Sequence, residues 1–126
     1  MTFIRDTKQR RAIREVFERS RRPLAPEEAL SLAKVNVKGL GIATIYRAIR
    51  DFVEAGFLTS VNLPGKPPRY EVSHKHHHHH FHCKKCDSLY EIDNCPGELQ
   101  NLTPKGFVLE THEITLFGLC KGCVKR

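Results

Sequence analysis

Two cysteine pairs, Cys83-x-x-Cys86 and Cys120-x-x-Cys123, constrain this 126-residue chain more than any other feature. Each pair has the spacing of a zinc knuckle, and together they supply the four thiolates of a closed tetrahedral site. Such a site ties the middle of the second half of the chain to its end. The 56 residues from Glu71 onward are few to hold together by core packing alone. A structural zinc contributes on the order of 10–16 kcal/mol of coupled binding and folding. No apolar, signal-like segment follows Met1 and no apolar run is bilayer-length, so reduced cysteines in a cytoplasmic protein are expected. A catalytic redox C-x-x-C is disfavoured because two such pairs share one small domain.

The charge sorts with the ligands. Residues 1–70 hold 14 Lys+Arg against 7 Asp+Glu, whereas residues 71–126 hold 7 of each. All eight histidines and all five cysteines lie in the second stretch. A basic half suited to a polyanion therefore precedes a neutral half suited to metal ions. The expected division is a winged-helix domain over 1–72, a hinge at 73–76 and a metal-binding, dimerising domain over 77–126.

Along the basic half, Ile13, Val16 and Phe17 share one helical face within residues 8–20. Pro26, followed by Glu27 and Glu28, suits the first turn of a second helix reaching about Lys34. A third helix follows Gly39-Leu40-Gly41, with Ile42, Ile45, Ile49, Phe52 and Val53 as its apolar stripe, and ends at Gly56. Residues 57–62 and 69–72 then read as a hairpin. Three helices and a hairpin are the winged helix-turn-helix order, so the expected class is α+β with a small α/β second domain. In that second domain, strands are expected over 77–82, 88–92 and 106–117, with a short helix around 98–102.

Ala43, Thr44, Tyr46, Arg47 and Arg50 fall outside the apolar stripe of the third helix. Positions at the start of such a helix reach base edges in a major groove, where arginine forks onto guanine or clamps phosphate. Arg5, Lys8, Arg10 and Arg11 add positive charge suited to the DNA backbone or a minor groove.

The run His76–His80 carries the second set of ligands. On a strand, His78 and His80 point to one face and His77 and His79 to the other, which implies two sites rather than one. Carboxylates at Glu71, Glu91, Glu98, Glu110 and Glu113, with the distant His112, are available to complete them. His74, His76 and His82 are expected to be non-ligands. Cys95, in Asn94-Cys95-Pro96-Gly97, reads as a free thiol at a turn.

Four segments together resemble the ferric uptake regulator family of iron, zinc, manganese and peroxide sensors. They are Thr7-Lys8-Gln9-Arg10, Gly41-Ile42-Ala43-Thr44-Ile45-Tyr46-Arg47, His77-His78-His79-His80-Phe81-His82-Cys83-Lys84-Lys85-Cys86, and the stretch His112 to Cys123. The resemblance implies a homodimeric repressor of metal homeostasis genes, binding an inverted-repeat operator in double-stranded DNA when its sensing ion is present. It implies structural Zn2+ at Cys83, Cys86, Cys120 and Cys123, and a regulatory site of Glu71, His78, His80 and Glu91. An additional site of His77, His79, Glu98 and His112 is implied as well. One departure stands out. The start of the second helix, Arg21-Arg22-Pro23-Leu24, lacks the histidine that family members commonly add to the regulatory site. Mixed nitrogen and oxygen ligands suit Zn2+ or Fe2+, and also Mn2+, Co2+ or Ni2+. The rival functions are a constitutive nucleic-acid binder with purely structural zinc and a zinc-dependent hydrolase. A closed Cys₄ site and a basic half both argue against an enzyme.

Overall fold

The computed structural model describes residues 7–73 and 76–124. The chain divides into two compact units, Met1–His74 and Lys75–Arg126.

In the first unit, α1 (Lys8–Arg19) begins where the Thr7 side chain accepts the Arg10 backbone N–H at 3.0 Å, satisfying a donor that the helix leaves unpaired. In α2 (Pro26–Ala33), proline occupies the first turn, and the Glu28 carboxylate reaches back to accept the Ala25 N–H at 2.9 Å. After Gly39, whose φ of 84° allows a turn closed to most side chains, α3 runs from Ile42 to Glu54. Strands β1 (Leu58–Val61) and β2 (Arg69–Val72) pair antiparallel, with Leu58 opposite Val72. Leu24 adds a bridge to Tyr70, exchanging backbone hydrogen bonds of 2.8 and 2.9 Å, and so fastens the segment before α2 to the hairpin. This is the winged helix-turn-helix arrangement.

The core of this unit is built from Ile13, Phe17, Leu24, Ala29, Leu40, Ile45, Ile49, Phe52 and Leu58, with smaller residues between them. The apolar stripe of α3 differs from expectation. Ile42 and Val53 are 38% and 39% exposed, while Ala48 is fully buried. Ile45, Ala48, Ile49 and Phe52 are the positions at true i, i+3, i+4, i+7 spacing, so they face the core.

In the second unit, a three-stranded sheet has the order β4-β3-β5. Its central strand β3 (His79–Cys83) pairs antiparallel with β4 (Leu89–Ile92) and parallel with β5 (Thr115–Gly118). A 3₁₀ turn spans Leu99–Leu102, and the short α4 spans Lys121–Val124. The strand expected over 106–117 is largely absent: residues 107–114 have no regular structure, and strand begins only at Thr115. β3 is five residues long and offers register to only four residues of β5.

An ion pair ties α1 to α3, with Arg10 Nη1 donating to Asp51 Oδ2 at 2.6 Å. That hydrogen bond holds the Asp51 carboxyl below its ordinary value of 3.8, so the folded chain binds fewer protons there than the unfolded chain does. The pair's stabilisation is therefore complete above the ordinary value and lost as pH falls through the lower, folded one. Asp51→Asn should lower the melting temperature at about pH 6, and the deficit should shrink towards about pH 3. Helical circular dichroism reads this unit, which contains the three long helices; a deficit independent of pH would remove the ion pair as its cause.

Candidate metal centres and nucleic-acid interface

Cys83 closes β3, Cys86 follows three residues on in the turn to β4, and Cys120 and Cys123 flank and enter α4. One strand end and one short helix thus bring four sulfurs together, all within 4.8 Å of one another. Cys86 Sγ and Cys120 Sγ are 3.8 Å apart, far longer than a disulfide bond, and all four cysteines are free. Zinc–sulfur bonds of about 2.3 Å in a tetrahedron place sulfurs roughly 3.8 Å apart, so the Cys86–Cys120 pair already has the spacing of the ion's shell and a small movement would bring the others to it. Its electrostatics fit as well. The backbone N–H groups of Cys86 and Cys120 each donate to Cys83 Sγ at 3.4 Å, and this holds the buried Cys83 thiol down to about 5. Cys120 is likewise lowered, chiefly by the Tyr90 hydroxyl, whose own ionisation is pushed up to about 12. Cys123 is pushed up to about 12, mainly by its hydrogen bond with Cys120. Two thiolates are favoured and a further one is resisted, because adjacent negative charges oppose one another.

The alternation of β3 separates the histidines. His78 and His80 have ring centroids 4.9 Å apart, and His80 stands opposite Glu91 in the register of β3 and β4. His78 Nε2 lies 3.7 Å from Glu91 Oε1, so the second unit itself assembles two imidazoles and a carboxylate. Glu71 belongs to the first unit, where it is buried on β2 with 7% exposure.

On the opposite side, His77, His79 and His112 converge. Their ring centroids are 4.5 Å (His77–His79), 4.7 Å (His77–His112) and 5.1 Å (His79–His112) apart. His77 Nε2 is 3.0 Å from His112 Nε2. His79 is 2% exposed, and burial together with the neighbouring imidazoles pushes its pKa down, keeping the ring neutral. The fourth member is Cys95, not the expected Glu98. Cys95 Sγ lies 3.2 Å from His112 Nε2. Gly97, with φ 88°, turns the chain between the two candidates, and Glu98 is left exposed at the start of the 3₁₀ turn. The one cue in the sequence was a soft ligand three residues ahead of the expected carboxylate.

Of the remaining histidines, His82 is buried and its Nε2 is 2.7 Å from Asp87 Oδ1. His76 is exposed, and His74 lies outside the described residues.

On the first unit, Ala43, Tyr46, Arg47 and Arg50 are exposed along α3, and Thr44 is half-buried among them. Arg47 Nη2 is 3.4 Å from Thr44 Oγ1, and the Tyr46 hydroxyl donates to Glu27 at 3.2 Å. Side chains with donors thus line the outer face of the helix that follows the turn. Arg10 is different. Its side chain is only 16% exposed and is occupied by Asp51, so it holds helices together rather than offering a charge outward. Arg5 lies outside the described residues.

Known proteins resemble the chain in sequence and in fold. The model of the ferric uptake regulator family matches residues 2–117. The ferric uptake regulation protein of Bordetella parapertussis is 32% identical over 97% of this chain and 91% of its own length. That of Campylobacter jejuni is 34% identical over 93% of this chain and 78% of its own. Among solved structures, a zinc-bound manganese uptake regulator has a TM-score of 0.81 at 28% identity, covering 93% of this chain and 91% of that one. The Helicobacter pylori ferric uptake regulator, described with three functional metal-binding sites, has a TM-score of 0.73 at 26% identity, covering 96% and 83%. Matched along nearly its whole length in both sequence and fold, the chain belongs to the ferric uptake regulator family and is a metal-responsive, DNA-binding transcriptional regulator rather than an enzyme.

Proposed function

We propose that the protein is a homodimeric repressor of metal homeostasis genes that grips an inverted-repeat operator when its sensing ion is bound. The observation that carries this reading is the pairing of two features. One is the face of α3 formed by exposed Tyr46, Arg47 and Arg50 with half-buried Thr44; the other is a second unit whose central strand touches three ligand groups. The winged-helix domain (residues 1–72) reads DNA, and residues from 77 onward bind metal and dimerise. Leu102, Phe107, Val108, Leu116 and Phe117 are each at least half exposed on the second unit, and this apolar surface favours a second copy. No helix among the described residues is long and apolar enough to cross a membrane.

In this reading Cys83, Cys86, Cys120 and Cys123 hold structural zinc, whose binding supplies folding free energy to a unit with few buried residues. His78, His80 and Glu91 form the regulatory site with Glu71, the penultimate residue of β2. Glu71 follows from the family resemblance and from its place just before the connection to the histidine strand. Zn2+ and Fe2+ both suit imidazole and carboxylate ligands. Operator affinity responds to the ion only as far as the ion prefers the DNA-competent arrangement, and a hundredfold response requires about 2.7 kcal/mol of preference.

The experiment that tests the reading is operator binding by the metal-stripped dimer, titrated with each divalent ion in turn. Affinity should rise on the order of 100-fold with the sensing ion in the native chain and stay flat in His78→Ala/His80→Ala. Equal affinity with and without metal in the native protein would leave a constitutive DNA binder. Cys83→Ser should lose zinc and the dimer together, as seen by metal analysis and sedimentation; a zinc-free folded dimer would make the knuckles dispensable. Arg47→Ala should weaken operator binding by about 1–3 kcal/mol, and an affinity unchanged at every salt concentration would take Arg47 out of the recognition surface.

A further inference from the structure

We infer that His77, His79, His112 and Cys95 form a closed site of three imidazoles and one thiolate that selects zinc over iron(II) and manganese(II). This rests on reading the group as metal-binding, not on any particular response of operator affinity. Four observations carry it. The four ligand atoms lie within 4.8 Å of one another, against roughly 3.3–3.8 Å in a tetrahedral shell with bonds of 2.0–2.3 Å, so little movement closes the site. His79 is 2% exposed, yet its Nε2 is buried with no hydrogen-bond partner, while its Nδ1 faces the Ile114 N–H at 3.2 Å. A buried polar nitrogen without a partner is costly unless a ligand satisfies it. Cys95 Sγ stands 3.2 Å from His112 Nε2 and thus within the ring of imidazoles. Finally, no carboxylate belongs to the group.

Ligand chemistry then decides the ion. Manganese(II) and iron(II) favour oxygen-rich, higher-coordinate shells, whereas thiolate with imidazole in a four-ligand shell suits zinc. The Cys95 thiol gives up its proton to solvent on binding, and no oxidant or reductant takes part. The site also has a structural consequence. Cys95 and His112 bracket a stretch in which the 3₁₀ turn is the one regular element, and His79 belongs to the central strand. An ion shared by all three fastens that stretch to the sheet where backbone pairing is missing.

The test uses the full-length protein with the Cys₄ group already filled with zinc and the remaining sites stripped. Cobalt(II) added to the native chain should raise the near-ultraviolet thiolate-to-cobalt charge-transfer band; Cys95→Ala and Cys95→Asp should not raise it. Cys95→Ala should weaken zinc binding at this site at least as much as loss of an outer-shell partner does, roughly 10–100-fold. Cys95→Asp should still bind an ion and keep the native circular dichroism, with its zinc-over-manganese preference reduced by about tenfold or more. No new band in the native chain, or the same band and affinities in Cys95→Ala, would overturn the assignment. A metal-independent operator affinity with the band intact would sink the repressor reading and leave this site standing.

Discussion

Four sulfurs within a few ångströms of one another cannot all ionise unless a cation lies among them, and the second unit is organised around that constraint. Backbone amides already favour the thiolate of Cys83, and the Tyr90 hydroxyl that of Cys120, while Cys123 is driven the other way. The cluster is therefore prepared for an ion. Because Cys83 ends β3 and Cys120 leads into α4, whatever satisfies the sulfurs also joins the central strand to the end of the described chain. A small unit with few buried apolar residues gains from such a join what a larger domain gains from its core.

β3 does more than hold one knuckle. Its pleat sends His80, like His78 just before it, towards Glu91, and sends His79, with His77, towards His112 and Cys95. One five-residue strand and the two residues ahead of it thereby contribute to three ligand groups. The chemistry on the two faces differs: imidazole with carboxylate on one side, imidazole with thiol on the other. Carboxylate favours harder ions and thiolate softer ones, so the two faces differ in the ions they suit.

The first unit divides its arginines by a different rule. Arg10 and Arg47 look alike in a charge count, but Arg10 is largely enclosed and bonded to Asp51, whereas Arg47 is exposed on the outer face of α3. A helix needs a firm seat before it can present side chains outward. Ile45, Ala48, Ile49 and Phe52 provide that seat, and Arg10 adds a polar link from α1.

The family, the α+β class, the helix order and the two-faced histidine strand were legible in the sequence, because each depends on spacing within a few residues. Helical and strand periods are properties of backbone stereochemistry, and a C-x-x-C turn carries its geometry with it. Tertiary structure alone decided that Cys95 and not Glu98 meets His112, that Arg10 meets Asp51, and that β5 is short and parallel to β3. Those pairings join residues many positions apart, and some cross irregular chain. There the path of the loop sets the partner, and no local period records that path.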